Sequence, residues 1–164
     1  MMADPMSALL NFQKEISAGM LTAASNGSPN IRVVRDELNG KTRFSFARVE
    51  QGQVKSLVMF ISGGNKNDVP CFDVGYAVAI PWRGKGYAKE IITQGLKELS
   101  EGLRLATGLS AFWVVAVIGM ENVASQAVAK STLSSTFEEI VDEFSGLPAL
   151  IYSRLINFEP GVKA

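Results

Sequence analysis

The sequence contains no histidine and a single cysteine, Cys71, among its 164 residues. Within one chain these absences exclude Ser-His or Cys-His catalysis, haem ligation through histidine and zinc-finger sites, because each needs those side chains. General base work therefore falls to a carboxylate or to water. A lone cysteine cannot form an internal disulfide, which is typical of proteins in a reducing cytoplasm.

Net charge is also lacking, since 16 basic side chains balance 16 acidic ones. A neutral chain has no bulk attraction for nucleic acid or an anionic membrane, so neither is a predicted partner. The N-terminus lacks the basic start and apolar run of a signal peptide, and the longest apolar stretch, at 112–120, is shorter than the ~20 residues of a membrane helix. We expect a soluble, cytoplasmic protein with one domain spanning residues 1–164.

The spacing of apolar residues predicts helices alternating with strands. Helices are predicted over 6–20, about 84–101 and 122–130. Strands are predicted over 31–36, 42–50, 53–61, 71–80, 111–118, 137–144 and 149–156, with a hairpin turn at Gln51-Gly52. Stretches 22–30 and 63–70 are predicted as polar loops. Hairpins together with two strand-to-helix crossovers predict an α+β, or loosely α/β, fold with helices covering a mixed sheet.

The most informative run extends from Asp73 to Glu90. It places a strand, a stop at Pro81, a glycine-rich turn and a helix start in that order. Gly84 and Gly86 allow close backbone approach, and the following helix start offers unpaired N–H groups and a positive dipole end. Such a turn binds phosphate, although as an isolated pattern a bare turn is an equally good interpretation.

This turn resembles the R/Q-x-x-G-x-G/A signature of the GNAT superfamily of N-acetyltransferases, and Asp73 to Tyr76 is similar to the segment that opens the preceding strand in that family. The resemblance implies a mixed, mostly antiparallel central sheet of six to seven strands flanked by helices, and acetyl-coenzyme A as co-substrate without a metal. The residues implied to hold the pyrophosphate are Arg83, Gly84, Lys85, Gly86, Tyr87 and Ala88. The backbone implied to meet the pantetheine and the thioester carbonyl is that of Val78, Ala79 and Ile80.

A second match, N-x-x-S-x-x-V beginning at Asn122, resembles the branch of the family that acetylates ribosomal proteins and related substrates. It implies that Asn122 contacts the pantetheine arm or a water near the thiol, and that Ser125 caps or lines the cofactor groove. The alternative is a plain helix N-cap, for which asparagine is a favoured residue. The two roles can coexist.

The catalytic residues are less well specified. Asp73 is the candidate general base and Glu121 a weaker one, with a structural carboxylate as the alternative. Tyr152 is the candidate acid, with Tyr76 second, although a buried tyrosine more often packs its ring. Ala129 stands where many family members carry a tyrosine acid. Cys71 is interpreted as a buried packing residue, with an acyl carrier as the alternative. Trp82 and Trp113 are interpreted as packing or edge aromatics, with a position over the cofactor groove as the alternative for Trp82.

These patterns predict an N-acetyltransferase that moves acetyl from acetyl-coenzyme A to a primary amine by direct attack on the thioester in a ternary complex. The acceptor stays open between a protein N-terminus or lysine, an aminoglycoside-like drug and a polyamine. The alternative is a catalytically degenerate acyl-coenzyme A sensor, and a weaker one is an interaction domain whose turn binds nothing. A homodimer is a further possibility, because open sheets expose edges.

Overall fold

The computed structural model describes residues 4–20, 22–25 and 28–157. The chain groups into two compact units. The first unit holds the chain up to Ile61 together with Gly75–Leu99, and the second holds Ser62–Val74 together with the chain from Ser100 onward. Each unit is described by itself.

The described residues form three helices and eight strands. The helices are α1 (Pro5–Ser17), α2 (Tyr87–Thr107) and α3 (Val123–Thr132). The strands are β1 (Ala23–Ala24), β2 (Ile31–Leu38), β3 (Lys41–Glu50), β4 (Gln53–Lys66), β5 (Val69–Val78), β6 (Ala111–Gly119), β7 (Glu138–Val141) and β8 (Pro148–Asn157). The mixed, mostly antiparallel sheet with flanking helices is confirmed, and its strand count exceeds the predicted six to seven because β1 lies in a predicted loop.

The first unit contains the antiparallel strands β1 to β4 in sequence order. Helix α1 begins at Pro5 because the Asp4 carboxylate accepts the Ser7 N–H at 2.9 Å, a standard N-cap. Its buried residues Leu9 and Phe12 pack into one apolar cluster with β3 and β4. The predicted opening helix is therefore confirmed, and its apolar stripe is the part that reaches the core.

The opposite face of this sheet receives α2. Gly95 brings the helix so close that an added Cβ would lie 2.8 Å from Val58 and 3.1 Å from Phe60. The predicted packing face is confirmed, since Ile91, Ile92, Leu96 and Leu99 are all buried. The helix begins at Tyr87, three residues later than predicted, and this leaves the glycine-rich turn outside it.

The second unit contains strands in the order β5-β6-β8-β7, with β5 parallel to β6 and the other pairs antiparallel. Paired residues of neighbouring strands share a face. Phe72, Val114 and Tyr152 lie on one buried face, and the Arg154 guanidinium donates to the Thr132 carbonyl of α3 at 2.9 Å. Helix α3 therefore covers that face.

Two predicted segments were wrong in extent. The polar loop at 63–70 is a strand continuation, because β4 runs to Lys66 and β5 starts at Val69 after a turn of two residues. Asn67 and Asp68 adopt φ values of 53° and 62°, which these side chains tolerate in tight hairpin turns. The predicted strand 137–144 is shorter, because Asp142 opens a turn in which its N–H donates to Leu147 O at 2.8 Å.

No helix within the described ranges is long and apolar enough to cross a membrane. Within the same ranges, no group of three or more potential metal-ligating side chains is present.

Candidate functional site

The chain leaves β5 through a tight turn that the sequence encodes with Pro81. Ile80–Trp82 form a single 3-10 turn, closed by hydrogen bonds from Trp82 N to Ala79 O at 2.9 Å and from Arg83 N to Ile80 O at 3.3 Å. The Ala79 N–H donates to Lys55 O at 2.9 Å, so this amide, one of three predicted to meet a thioester, is engaged in the first unit. The predicted roles of Val78 and Ile80 stay predictions.

The glycine-rich turn follows directly. Gly84 and Gly86 have φ values of 76° and 82°, and a Cβ at either position would meet nothing within 4 Å. Neighbouring atoms therefore do not require glycine there; the left-handed backbone does. Between Arg83 and the helix, the amides of Gly84, Lys85 and Gly86 have no hydrogen-bond acceptor among the described residues.

Further unpaired N–H groups adjoin this turn. The first helical hydrogen bond runs from Glu90 N to Gly86 O at 3.1 Å, so the N–H groups of Tyr87, Ala88 and Lys89 precede the helical ladder. Successive exposed amides with left-handed glycines form an anion-binding concavity, and the α2 dipole adds positive potential at the same end. These residues fit a diphosphate. The segment Arg83–Ala88 is called the amide turn from here on.

The cationic side chains of the amide turn contact neighbouring groups as well as adding positive charge. The Arg83 Nε donates to Val78 O at 3.1 Å, and its Nη2 lies 3.9 Å from the Met6 sulfur. The Lys85 ammonium lies 5.3 Å from the centre of the Trp82 ring. Arg83 thus links the end of β5 to the turn, while Lys85 supplies a positive charge beside it.

A charged and aromatic network lies behind the amide turn and was not predicted. Arg48 pairs with Glu50 at 2.6 Å and also with Glu90 in the first turn of α2. Lys55 pairs with the same Glu50 at 2.6 Å. Hydrogen bonds from Lys55 and then Arg48 lower the pKa of the Glu50 carboxyl below its ordinary value. The Glu50 carboxylate is therefore ionised at neutral pH.

The aromatic half of this network touches the turn itself. The Lys55 ammonium lies 4.0 Å from the centre of the Trp82 ring, and the Arg48 guanidinium lies 5.2 Å from that of Tyr87. The two rings meet edge to face at 6.4 Å. Lys55 reaches them because the register of β3 with β4 shifts between Arg48 and Val49, a bulge that changes where a side chain points. The sequence gives no local signal for such a bulge.

The remaining predicted residues belong to the second unit. Asn122 caps α3, since its Oδ1 accepts the Ser125 N–H at 3.1 Å. The capping interpretation of Asn122 is therefore confirmed, and cofactor contact by Asn122 and Ser125 stays a prediction. Glu121 is exposed beside the cap.

Asp73 and Tyr152 are not brought together. Asp73 pairs with Val115 of β6, which in turn pairs with Ser153 of β8, so Asp73 and Ser153 share a face and Tyr152 points to the other. Tyr152 is only 3% exposed, and its ring lies 5.7 Å from that of Phe137. The packing alternative for Tyr152 matches this position.

Asp73 lies in a small polar cluster. Its carboxylate packs on the backbone of Gly63, where an added Cβ would be 2.9 Å from Oδ2. Burial and then the Asp73 charge raise the pKa of the neighbouring Cys71 thiol, while Lys66 opposes them. The Lys66 ammonium lies 4.4 Å from the centre of the Trp113 ring. Cys71 is thus held as a protonated thiol, which agrees with its interpretation as a packing residue.

The sequence profile of the Acetyltransferase (GNAT) domain matches residues 25–132, more than half of the chain. The chain therefore belongs to the GNAT family of acetyltransferases, as the amide turn and its flanking strand and helix predict. No curated protein sequence matches it.

Solved structures share the fold at low identity. A spermidine N-acetyltransferase chimera from Vibrio cholerae and hSSAT is 18% identical, with a TM-score of 0.50 over 71% of this chain and 68% of that one. A GNAT-family acetyltransferase from Streptococcus pneumoniae is 11% identical, with a TM-score of 0.50 over 94% and 96%. RimL, a ribosomal alpha-N-protein acetyltransferase in complex with coenzyme A, is 18% identical, with a TM-score of 0.49 over 70% of this chain. The chain spans 62% of the length of RimL.

Proposed function

We propose that this protein binds acetyl-coenzyme A and transfers its acetyl group to a primary amine. The observation that carries the proposal is the amide turn, where positive-φ glycines and unpaired N–H groups adjoin the start of α2. Bound acetyl-coenzyme A supplies an acetyl group activated as a thioester. Membership of the GNAT family supports this choice among phosphate-containing ligands.

The amide turn provides binding rather than chemistry. The amides of Gly84, Lys85 and Gly86 would hold the pyrophosphate, with the charge of Lys85 and the α2 dipole adding to the attraction. The network behind Tyr87 keeps the turn in place before ligand arrives. Backbone N–H groups at Val78 and Ile80 would polarise the thioester carbonyl, a role that Ala79 cannot share while its N–H is bonded to Lys55 O.

Asp73 is the proposed general base. An acceptor amine must lose its proton before it can attack, and a carboxylate on the half-exposed face of β5 is suited to take it. We give Tyr152 no acid role, because it is buried on the other face. The raised pKa of Cys71 disfavours an acyl-enzyme, which supports direct attack in a ternary complex.

A sensor that binds acyl-coenzyme A without turnover is the second candidate. Ala129 stands where the resemblance implies a tyrosine acid, and it is completely buried in α3. Alanine has no proton to donate, so this position supplies no acid. The sensor candidate therefore uses the same amide turn to bind acyl-coenzyme A but does not transfer the acyl group.

One experiment separates the two candidates. Purified protein is incubated with acetyl-coenzyme A and either no amine, a peptide with a free N-terminus, a lysine peptide, an aminoglycoside or spermidine, and free coenzyme A is measured by chromatography. Release that depends on one amine, with a matching acetylated product, is the expected result. Binding of acetyl-coenzyme A without release in any mixture would favour the sensor, and absence of binding would contradict both candidates.

A further inference from the structure

Strand β7 is the last strand of the sheet, and no other described strand lies on its outer side. Within the described residues it pairs only with β8, in the register Glu138↔Ile151 through Val141↔Pro148. Asp142 N donates to Leu147 O at 2.8 Å just beyond, and Pro148 has no N–H to give. Asp142 and Leu147 therefore form a hydrogen-bonded pair. Hydrogen-bonded and non-hydrogen-bonded pairs alternate in an antiparallel ladder, so Glu139 and Val141 lie in non-hydrogen-bonded pairs. Their N–H and C=O groups point away from β8, to the outer side.

Large apolar side chains surround this edge and are exposed to solvent. They are Phe137 (49% exposed), Val141 (66%), Phe144 (67%) and Leu147 (64%). Single exposed apolar residues are ordinary, but four within residues 137–147, in or next to one edge strand, are not, and these four side chains are named here the patch. The patch and the open backbone groups together form a surface, named here the β7 edge, that suits an added strand.

The β7 edge is also strongly acidic. From residue 131 to residue 153 the chain carries four carboxylates and no lysine or arginine, although its net charge is zero. The carboxylates belong to Glu138, Glu139, Asp142 and Glu143. The four carboxylates lie beyond residues 25–132, the part of the chain that matches the family. Charge complementarity therefore requires a basic partner.

A second copy of the chain is a poor occupant. Two β7 edges paired antiparallel about Glu139 would place Glu139 opposite Glu139 of the other copy, and pairing about Ile140 would place Glu138 opposite Asp142. Like charges directly opposite each other destabilise a strand pair. Charged residues on an edge strand commonly prevent such self-pairing. The same charges favour a foreign strand that carries lysine or arginine.

We propose that the β7 edge binds a basic, extended segment of another protein, which adds a strand beside β7. Glu138 and Glu139 would face two consecutive basic residues, while Phe137, Ile140 and Val141 would face apolar ones. The partner segment therefore has the pattern apolar-basic-basic-apolar-apolar, in either direction. The proposal does not depend on acetyl transfer.

The test uses the full-length protein and two synthetic peptides, TVKRVVT and the acidic control TVEEVVT. Binding is followed by amide chemical shifts in a peptide titration. The basic peptide is expected to change the amide chemical shifts of Glu139 and Val141 in a saturable manner, with a lower affinity at high salt. The acidic peptide is expected to leave these shifts unchanged. Equal binding of both peptides, or no saturable shift, would overturn the proposal.

Charge reversal sharpens the test. The double variant Glu138→Lys and Glu139→Lys is expected to weaken the basic peptide about tenfold and to strengthen the acidic one, because two favourable cross-strand pairs become repulsive. The double variant Glu15→Lys and Glu101→Lys makes the same change in net charge at exposed positions outside the edge. It is expected to leave both affinities unchanged, and an equal effect of the two double variants would contradict a local site.

The backbone contribution is tested by Val141→Pro. Proline removes an N–H that points outward, so β7 and β8 stay paired while the added strand loses a donor. Peptide affinity is expected to fall about fivefold with Val141→Pro but not with Val141→Thr, which keeps the N–H. Unchanged affinity in the proline variant, or a dimer by sedimentation that this variant dissolves, would overturn the proposal.

Discussion

Gly84 and Gly86 determine what the amide turn can bind. Their positive φ values orient successive N–H groups toward solvent, where an anion can reach them without meeting a Cβ. The cationic side chains nearby are secondary, since Arg83 Nε is engaged with Val78 O. In the proposed function, backbone geometry rather than side-chain charge would therefore bind the pyrophosphate.

Asp73→Asn tests the proposed base. The amide retains the size of the carboxylate beside Gly63 but cannot accept the proton of an acceptor amine. We expect kcat at neutral pH to fall about a hundredfold, with the affinity for acetyl-coenzyme A unchanged. Glu101→Gln, at an exposed position of α2 outside the cluster, serves as the control. A kcat within twofold of wild type would remove Asp73 from the mechanism.

The pKa of the Cys71 thiol depends on the charges around Asp73 and can be measured by alkylation. Burial and the Asp73 carboxylate raise the thiol pKa, so the midpoint of alkylation by iodoacetamide should lie at higher pH in the folded protein than in denatured protein. Asp73→Asn should lower that midpoint and Lys66→Met should raise it. The folded state binds this proton more tightly, so stability should fall as pH rises past the pKa of the unfolded thiol. Equal midpoints in folded and denatured protein would contradict the cluster.

At the scale of elements, the close packing of α2 on the sheet depends on the absence of a side chain at Gly95. Gly95→Ala would gain about 1 kcal/mol of helix propensity but would press on Val58 and Phe60, both fully buried, at an overpacking cost of about 1–3 kcal/mol. We expect net destabilisation in urea unfolding. Gly102→Ala lies in the same helix with nothing within 4 Å, and it should stabilise by about 0.5–1 kcal/mol. Shifts of the same sign in both variants would contradict this packing.

Elements with a clear period or a sharp stop could be predicted from sequence. The apolar stripe of α1, the Gln51-Gly52 hairpin and the stop at Pro81 each act through neighbouring residues, so local patterns suffice. The segment 63–70 is strand at both ends despite its glycines and polar residues, because pairing overrides propensity there. The network joining Lys55 to Trp82 depends on a bulge and on contacts between distant segments, which no local pattern contains.

At the scale of the whole molecule, neutrality hides an uneven distribution of charge. The amide turn and its surroundings carry Arg83, Lys85 and Lys89, whereas residues 131–153 carry four carboxylates and no basic side chain. Opposite potentials at two places suit two different ligands: an anionic coenzyme at the turn and a basic segment at the β7 edge. Net charge alone would predict neither.

Coenzyme A binding to the amide turn is the central claim, and the most direct test is the thermal unfolding midpoint with and without coenzyme A. Wild type is compared with Gly86→Glu and with Gly40→Glu, a control at another exposed glycine of positive φ in the β2–β3 turn. Both variants carry the same strain and charge. Saturating ligand should stabilise wild type and Gly40→Glu, by about 2.7 kcal/mol at a hundredfold excess over Kd, and should leave Gly86→Glu unchanged. An equal rise in all three proteins, or no rise in wild type, would contradict the assignment of the amide turn as the coenzyme A site.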